Sequence, residues 1–227
     1  MSSTSTRAPR RFLVRVVGAA LSVACAVVAA AAPLAAQDPI RIGIIGLDTS
    51  HSIAFTEIFN SADAAEDVAG FRVTVAYPYG SADIPSSAER IPGYIEKIET
   101  LGVEIVDSIP ALLERCDCVL LETNDGRLHR EQYRLVAEAK KPCFIDKPLS
   151  ASLTDAVAIF DLAQEHGVSV FSSSSLRYST GVQAARGGAA GDVLGCEAYS
   201  PCSLEATHPE LYWYGIHGVE ILYTVMG

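Results

Sequence analysis

One lysine of this chain follows a predicted strand at a position where parallel sheets bind ligands. The apolar run from Cys143 to Ile145 predicts a short buried strand, and Asp146, Lys147 and Pro148 follow it directly. The strand must end there because proline has no N–H to donate to a sheet ladder. Open α/β sheets bind their ligands at the carboxyl ends of the strands. Lys147 is therefore a candidate proton-transfer group, and a solvated loop lysine is the alternative interpretation.

A second candidate site lies in the turn after the first predicted strand. If Gly46 is the first glycine of a G-x-G-x-x-G phosphate turn, Asp48 and His51 occupy the positions of the other two glycines. Thr49 and Ser50 offer hydroxyl groups beside a helix N-terminus, and a cationic His51 would attract a phosphate. The Asp48 carboxylate would oppose it, by about 1 kcal/mol in water and ~4 kcal/mol at a protein surface. The alternative is that Asp48 or Thr49 only caps the helix.

Apolar, β-branched runs alternate with helical patterns through residues 40–171. This order predicts an α/β fold, a Rossmann-type doubly wound parallel sheet with right-handed crossovers. Predicted strands cover residues 40–47, 71–77, 103–106, 118–122, 143–145 and 168–171. Predicted helices cover residues 53–60, 88–101, 109–113 and 128–140, and a capping box at residues 152–155 opens another.

The pattern changes near residue 172, which predicts a doubly wound domain over residues 37–172 and the start of a second α/β domain over residues 173–227. A strand at 194–200 and a helix at 213–226 are predicted in that second part. The side of the helix expected to be buried carries Ile216, Val219, Leu222 and Val225 (or Met226). The opposite face carries His217, Glu220 and Thr224. These elements cannot close a core alone, so we expect further chain or a partner to complete it.

Residues 1–36 contain four arginines and no acid, and most of the remainder is an alanine- and valine-rich run. A basic start, an apolar middle and small residues at the end are typical of a secretory signal peptide. We therefore expect an exported protein, periplasmic or extracellular. A retained membrane anchor is the alternative, although the apolar run is short for a span of ~20 residues. The pair Arg10-Arg11 resembles a twin-arginine export signal.

The charge balance is acidic, with 17 basic and 27 acidic residues and a formal net charge of −10. Without the four leader arginines, 13 basic residues face 27 acidic ones, a net charge near −14. Nucleic acid and anionic membrane surfaces are therefore not expected partners. The net charge gives no information about which small-molecule substrate the protein binds.

The cysteines and histidines predict neither a disulfide framework nor a metal site. Of six cysteines, Cys25 lies in the leader, and the five that remain leave at least one thiol unpaired. Cys118 and Cys143 lie in apolar runs and are expected in the core. There is no C-x-x-C pair and the histidines are scattered. His217 and Glu220 have a ligand-like spacing on one helix, but no third ligand is evident.

Four short motifs carry a family resemblance, at residues 43–47, 123–129, 146–148 and 216–220. They correspond to a first strand and its glycine turn, a loop after the fourth strand, a Glu-Lys-Pro-like triplet and a helix with a histidine. In this order and spacing they resemble the Gfo/Idh/MocA family, which includes glucose–fructose oxidoreductase and inositol dehydrogenase. The resemblance covers residues 40–227, and because family members are usually longer, we expect a C-terminal truncation.

The resemblance implies hydride transfer between NAD or NADP and a sugar- or polyol-like substrate. Lys147 would hold or polarise the substrate oxygen, and His217 would take or relay its proton. Arg177 and Tyr214 would join His217 in binding the substrate. A full-length member could form a homo-oligomer through its C-terminal sheet. The implied cofactor contacts are Gly43, Gly46, Asp48, Thr49, Ser50, His51, Thr123, Asn124, His129, Asp146 and Lys147.

Two other functions stay open. The protein could keep its cofactor bound and use transient oxidation to assist glycoside cleavage or epimerisation, which would suit an exported protein. It could also be a non-catalytic sugar-binding protein with a degenerate nucleotide site. No acid follows the second strand before Asp83, where the ribose would need one, although Tyr77 or Tyr79 could stack on adenine. Trp213 stands where the family often has an aspartate.

Overall fold

Six parallel strands form one sheet in the part of the chain that the computed structural model describes, residues 38–227. The strand order is β3-β2-β1-β4-β5-β6, so the chain winds outward in both directions from β1 and β4, which are neighbours. This order confirms the Rossmann-type doubly wound prediction. The strands are β1 Ile40–Ile45, β2 Phe71–Tyr77, β3 Glu104–Ile105, β4 Cys118–Leu121, β5 Cys143–Ile145 and β6 Val170–Phe171. The predicted signal peptide lies outside the described residues.

Eight helices accompany the sheet within the described residues: α1 Ser50–Phe59, α2 Pro85–Ala88, α3 Ile91–Thr100, α4 Ile109–Leu113, α5 His129–Glu138, α6 Leu153–His166, α7 Thr180–Ala184 and α8 Ile216–Met226. The helix expected over residues 88–101 is confirmed as α3, but Ala88 belongs to the short helix α2 before it, and Pro92 lies in the first turn of α3. Proline is tolerated there because the first N–H groups of a helix have no partner within the helix.

Two apolar cores fill the two sides of the sheet. On one side, Ile45, Val119 and Ile145 of the strands pack with Leu112 of α4 and Tyr133 of α5, and α6 joins the same core. On the other side, α1 and α3 cover a second core under β1 and β2. Because successive strand residues point to opposite faces, the central strands β4 and β5, covered on both sides, are apolar throughout.

Local capping fixes where the helices begin and end. The Thr49 side chain accepts a hydrogen bond from the backbone N–H of His51 at the start of α1. At the start of α6, the Ser152 hydroxyl oxygen accepts from the N–H of Asp155 at 3.1 Å, which confirms the predicted capping box. Gly167 ends α6 with φ of +64°, a left-handed conformation that favours glycine.

The segment after β6 departs from the predictions. The strand expected over residues 194–200 is wrong: this stretch has no regular structure, and Leu194 and Tyr199 are 96% and 98% exposed. A strand needs a neighbour for its N–H and C=O groups, and none of the described segments pairs with this one. A 3₁₀ turn at Ser175–Tyr178 and α7 lead into this stretch instead. Pro39–Gly227 form one compact unit. The predicted domain boundary near residue 172 stays a prediction.

Helix α8 buries the face opposite to the one expected. Glu220 and Thr224 are buried, whereas Val219 and Met226 are 40% and 49% exposed. Arg177, within the 3₁₀ turn at Ser175–Tyr178, donates a hydrogen bond to the Glu220 carboxylate, so the polar side of the helix faces the fold through an ion pair. This pairing explains the reversed orientation because a buried carboxylate needs a charged or hydrogen-bonding partner. No helix within residues 38–227 is long and apolar enough to cross a membrane.

Candidate functional site

The turn after β1 comes very close to the loop after β4. Gly46 has φ of +96°, and a Cβ atom there would lie 2.4 Å from the backbone nitrogen of Thr123. Only glycine fits this turn without displacing the neighbouring loop. Gly43, also a predicted cofactor contact, lies inside β1, where an added Cβ would meet the Leu112 side chain at 2.7 Å. The structure thus places Gly46 at the sheet edge and Gly43 in the packing between β1 and α4.

Asp48 is completely buried and joins three segments. Its carboxylate accepts a hydrogen bond from the backbone N–H of Asn124 at 3.0 Å and another from the Ser87 hydroxyl at 2.5 Å. Burial raises the pKa of Asp48, and the bonds from Ser87 and Asn124 oppose that rise. An added Cβ at Gly80 would lie 2.9 Å from the Asp48 Cβ, so the segment after β2 packs directly on this residue. The carboxylate is therefore held inside the protein.

The first turn of α1 reaches the strand that carries the lysine. Thr49 is the N-cap, Ser50 is exposed, and the Nδ1 atom of His51 lies 2.7 Å from the Oδ2 atom of Asp146. His51 and Asp146 also line a groove of about 400 Å³, whose walls include Phe144 and Phe171. The α1 N-terminus, the end of β5 and an apolar groove therefore meet at one place.

The loop after β4 is held by its own buried polar groups. His129 is fully buried, with Nε2 at 2.6 Å from the Thr123 carbonyl oxygen and Nδ1 at 3.1 Å from that of Leu149. It therefore ties this loop to the loop after β5, which is a positioning role. The Thr123 hydroxyl has no hydrogen-bond partner among the described residues.

Asp125, in the same loop, accepts hydrogen bonds from Arg127 and Ser81. Burial alone would raise the pKa of Asp125, but these bonds outweigh it and the pKa lies below its ordinary value. Arg127 also pairs with Asp83 at 2.8 Å. The carboxylate of Asp83, the first acid after β2, is therefore already part of an ion pair with Arg127.

Lys147 is buried at the carboxyl end of β5, with 6% of its surface exposed. Its ammonium lies 4.6 Å from the centroid of the Tyr214 ring, a cation–π contact. Within residues 38–227, no carboxylate oxygen comes within 4.0 Å of this ammonium. The lysine is therefore neither a solvated loop residue nor one half of an ion pair.

His217 faces Lys147 from α8. Its Nδ1 atom lies 2.6 Å from the Ser174 hydroxyl, and its ring packs edge-on to Tyr214 with centroids 5.3 Å apart. Burial lowers the pKa of His217, and the charge of Lys147 lowers it further. The imidazole is therefore neutral near pH 7, the form that can accept a proton. Ser174 fixes the ring orientation and leaves Nε2 for another partner.

The structure gives the contacts of four further residues that the sequence analysis discussed. Arg177 pairs with Glu220, which is one of the two roles expected for it. Trp213 packs on the ring of His208 at 4.7 Å instead of adding a carboxylate to the site. Tyr77 and Tyr79, at the end of β2, stack on each other with centroids 5.9 Å apart.

Glu122 is the residue that the sequence analysis missed. It follows β4, is completely buried, and neither carboxylate oxygen has a hydrogen-bond partner in the described part of the chain. Burial raises its pKa well above the ordinary value, and the charge of Asp146 raises it further while Lys147 opposes the change. An acid that directly follows the apolar run of a buried strand is the signal that could have identified it.

Comparison with known proteins agrees with the fold. The Gfo/Idh/MocA model, described as an oxidoreductase family with an NAD-binding Rossmann fold, matches residues 40–174. A 2,7-anhydro-N-acetylneuraminate hydratase of Escherichia coli (strain K12) is 33% identical over 116 residues, which are 49% of this chain and 30% of that protein.

Two solved structures show the fold alone. A probable dehydrogenase from Thermotoga maritima has 22% identity and a TM-score of 0.51 over 66% of this chain and 41% of its own. The WlbA dehydrogenase from Bordetella pertussis, in complex with NADH and UDP-GlcNAcA, has 20% identity and a TM-score of 0.51 over 68% and 40%. The matched part of this chain thus corresponds to less than half of each of these relatives. Because the family model matches more than half of the present chain, the protein belongs to the Gfo/Idh/MocA oxidoreductase family with its NAD-binding Rossmann fold.

Proposed function

We propose that the protein is an NAD(P)-dependent oxidoreductase that acts on a hydroxyl or carbonyl group of a sugar- or polyol-like substrate. The observation that carries this proposal is the buried, unpaired ammonium of Lys147 over the Tyr214 ring, on which the imidazole of His217 also packs. The sugar-like substrate is supported by the name of the Escherichia coli relative, whose substrate is an anhydro sugar acid.

The residues at the switch point fit a nicotinamide dinucleotide. Gly46 supplies the tight turn, and the exposed Ser50 with His51 presents polar groups at the N-terminus of the ten-residue helix α1, where phosphates bind. The carboxylate of Asp48, which would repel a phosphate, is turned inward to Ser87 and Asn124. When bound, the dinucleotide would supply the hydride acceptor or donor.

The chain's own residues would position the substrate and move its proton. The Lys147 ammonium would donate to the substrate oxygen and stabilise negative charge that develops there, and the absence of a competing ion pair leaves it free to do so. His217 would take the hydroxyl proton at Nε2 while Ser174 holds Nδ1. The apolar walls of the groove beside His51 and Asp146 would exclude water.

Binding and turnover of the purified protein test this function separately. We expect NADH or NADPH to bind with a fluorescence change and a sugar or polyol panel to yield reduced cofactor. Lys147→Ala should lose about 10²–10⁴-fold in kcat, measured at saturating cofactor because Lys147 is also one of the implied cofactor contacts. Lys97→Ala is the matched control, because Lys97 pairs with Glu57 on the surface. Absence of any nicotinamide binding by wild type would exclude the proposal.

A second function is favoured by one observation: the Escherichia coli relative is named a hydratase, not a dehydrogenase. In this alternative the cofactor stays bound, and transient oxidation assists cleavage, hydration or epimerisation of the sugar. It predicts nicotinamide in the acid extract of freshly purified protein. It also predicts product formation without net accumulation of NADH. Stoichiometric NADH release with each product would exclude it.

We also propose that the protein is exported. The basic start and apolar run of residues 1–36 support cleavage of a signal peptide. N-terminal sequencing of protein from the periplasm or medium should find a start near Gln37. Recovery of the intact N-terminus only from the cytoplasm would contradict export. A homo-oligomer through a C-terminal sheet stays a prediction for a longer form of the protein, and the mass of the native assembly tests it.

A further inference from the structure

Three potential metal ligands meet where α1, β4 and β5 come together. His51 lies in the first turn of α1, Glu122 follows β4 and Asp146 follows β5. One ligand atom from each, the imidazole Nδ1 or Nε2 and one oxygen per carboxylate, lies within 4.8 Å of the others. The parallel sheet creates this cluster because neighbouring strands end at the same edge. No spacing in the sequence indicates this cluster, since its three residues come from distant segments.

The Glu122 side chain is part of this cluster, and its carboxylate makes no hydrogen bond to any described residue. It is fully buried, and both of its oxygens lack a hydrogen-bond donor among residues 38–227. Buried carboxylates are otherwise almost always paired or hydrogen-bonded. The nearby charges that act on it are mainly acidic, from Asp146 and Asp48, and the Lys147 ammonium forms no ion pair with it. A group that supplies positive charge inside the cluster would satisfy it.

We propose that His51, Glu122 and Asp146 bind a divalent first-row transition metal such as Zn²⁺ or Mn²⁺. One imidazole nitrogen and two carboxylate oxygens are a donor set that these ions accept. Ligand atoms about 2.0–2.2 Å from one ion lie about 3–3.5 Å apart. That spacing falls between the 2.7 Å from His51 Nδ1 to Asp146 Oδ2 and the 4.8 Å limit of the cluster. Small rotations of these side chains would complete the coordination.

The site has an entry path and an open side. His51 and Asp146 both line the groove of about 400 Å³, and the His51 side chain is 36% exposed. Three protein ligands leave at least one coordination position open, as in catalytic metal sites. A substrate hydroxyl or carbonyl oxygen in the groove could occupy it, close to Lys147. The geometry of the metal cluster does not depend on nicotinamide binding, but His51 and Asp146 are also predicted cofactor contacts, so metal binding and nicotinamide binding are measured separately.

The competing arrangement is a carboxylic acid pair, in which Glu122 carries a proton and shares it with Asp146. It needs no cation and predicts no specific metal binding. The two arrangements are separated by direct titration of the purified full chain after treatment with EDTA. Mn²⁺ is followed by loss of its free EPR signal, and Zn²⁺ by displacement of the bound Mn²⁺.

We expect one Mn²⁺ per chain in wild type. Glu122→Gln and His51→Gln should each weaken binding by more than about 100-fold, because even the loss of a residue that only orients a ligand costs 10–100-fold. His166→Gln, in the last turn of α6, and Asp161→Asn, on its exposed side, are the matched controls and should bind as wild type. No stoichiometric binding by wild type, or equal binding by Glu122→Gln, would overturn the site.

Thermal unfolding distinguishes a lost ligand from a lost fold. Glutamine has the shape of glutamate without its charge, so metal-free Glu122→Gln should unfold at or above the wild-type midpoint. Mn²⁺ should raise the midpoint of wild type and leave that of Glu122→Gln unchanged. A shift of equal size in both proteins would overturn the site. An NADH titration of metal-free wild type reports on the nicotinamide proposal alone.

Discussion

The Lys147 ammonium lies 4.6 Å from the centroid of the Tyr214 ring, so a residue just after β5 is covered by one that lies two positions before α8. The contact compensates part of the loss of hydration that burial imposes on the ammonium. The ammonium N–H groups also stay available to a substrate, because a carboxylate partner would accept hydrogen bonds from them and the ring face does not. The ring of His217 packs on the same tyrosine, which brings the charged donor and the neutral base together.

The tyrosine ring, more than its hydroxyl, should support the lysine. We expect Tyr214→Phe to keep most activity and Tyr214→Ala to lose about 2- to 30-fold in kcat/KM, which corresponds to a cation–π contribution of about 0.5–2 kcal/mol. Steady-state kinetics with the best substrate of the panel measure both variants. Equal losses in the two would assign the effect to the hydroxyl and contradict this account.

Ser174 should affect the proton-transfer step through His217. Ser174→Ala removes the group 2.6 Å from Nδ1, so the ring loses its fixed orientation. We expect kcat to fall by about tenfold or more with little change in KM, and the acid limb of the pH–rate profile to move. Ser172→Ala is the control, because the hydroxyl that contacts His217 is that of Ser174. A change confined to KM would show that Ser174 serves substrate binding instead.

His208 should make the folded protein less stable at mildly acidic pH. Burial lowers its pKa below 6.5, and Arg127 and His129 lower it further, whereas Asp125 and Glu205 oppose the change. Above about pH 6.5 both folded and unfolded states are neutral at this residue, so it has no effect there. Below pH 6.5 the unfolded chain binds the proton first, and the free energy of unfolding falls until the pH reaches the folded pKa.

Unfolding by urea at pH 7.5 and at pH 5.5 measures this effect. His208→Gln keeps an acceptor for the N–H of Gly126, which His208 Nε2 accepts at 3.2 Å, and removes the titration. Its loss of stability between the two pH values should therefore be smaller than that of wild type. His166→Gln should lose as much as wild type. An identical pH dependence of His208→Gln and wild type would contradict the assignment.

Asp48 should matter as a hydrogen-bond acceptor more than as a charge. Asp48→Asn retains an oxygen for the Asn124 N–H and a donor for Ser87, so we expect a change within about 1 kcal/mol in the free energy of unfolding. Asp48→Ala leaves the Asn124 N–H without a partner and should cost about 1–3 kcal/mol. Chemical denaturation measures both. A larger loss in the asparagine variant than in the alanine variant would contradict this ranking.

Gly46 should tolerate no side chain. Gly46→Ala combines a positive φ with a Cβ atom 2.4 Å from the Thr123 nitrogen, and strain and overpacking together should cost about 2–5 kcal/mol. Gly167→Ala is the control, since it also has a positive φ but meets nothing within 4 Å, and should cost only about 1–2 kcal/mol. Similar losses in both would show that backbone strain alone, and not the approach to Thr123, requires glycine at position 46.

Local sequence signals determined much of this protein. Apolar runs set the strands, Ser152 and Thr49 set helix starts, and Pro148 fixed the end of β5, because each of these effects acts within a few residues. The alternation of elements was enough to predict the doubly wound sheet, and the position of Lys147 at its edge followed from it.

Only the tertiary structure decided which side chains meet. The convergence of Glu122 with His51 and Asp146 requires the order of β4 and β5 in the sheet and the approach of α1. The buried face of α8 was decided by the Arg177–Glu220 ion pair, which overrode the apolar pattern of that helix. The physical reason is the same in both cases. Buried polar groups need a hydrogen-bonding or charged partner, which often comes from a distant segment, and the periodicity of the sequence does not encode distances between such segments.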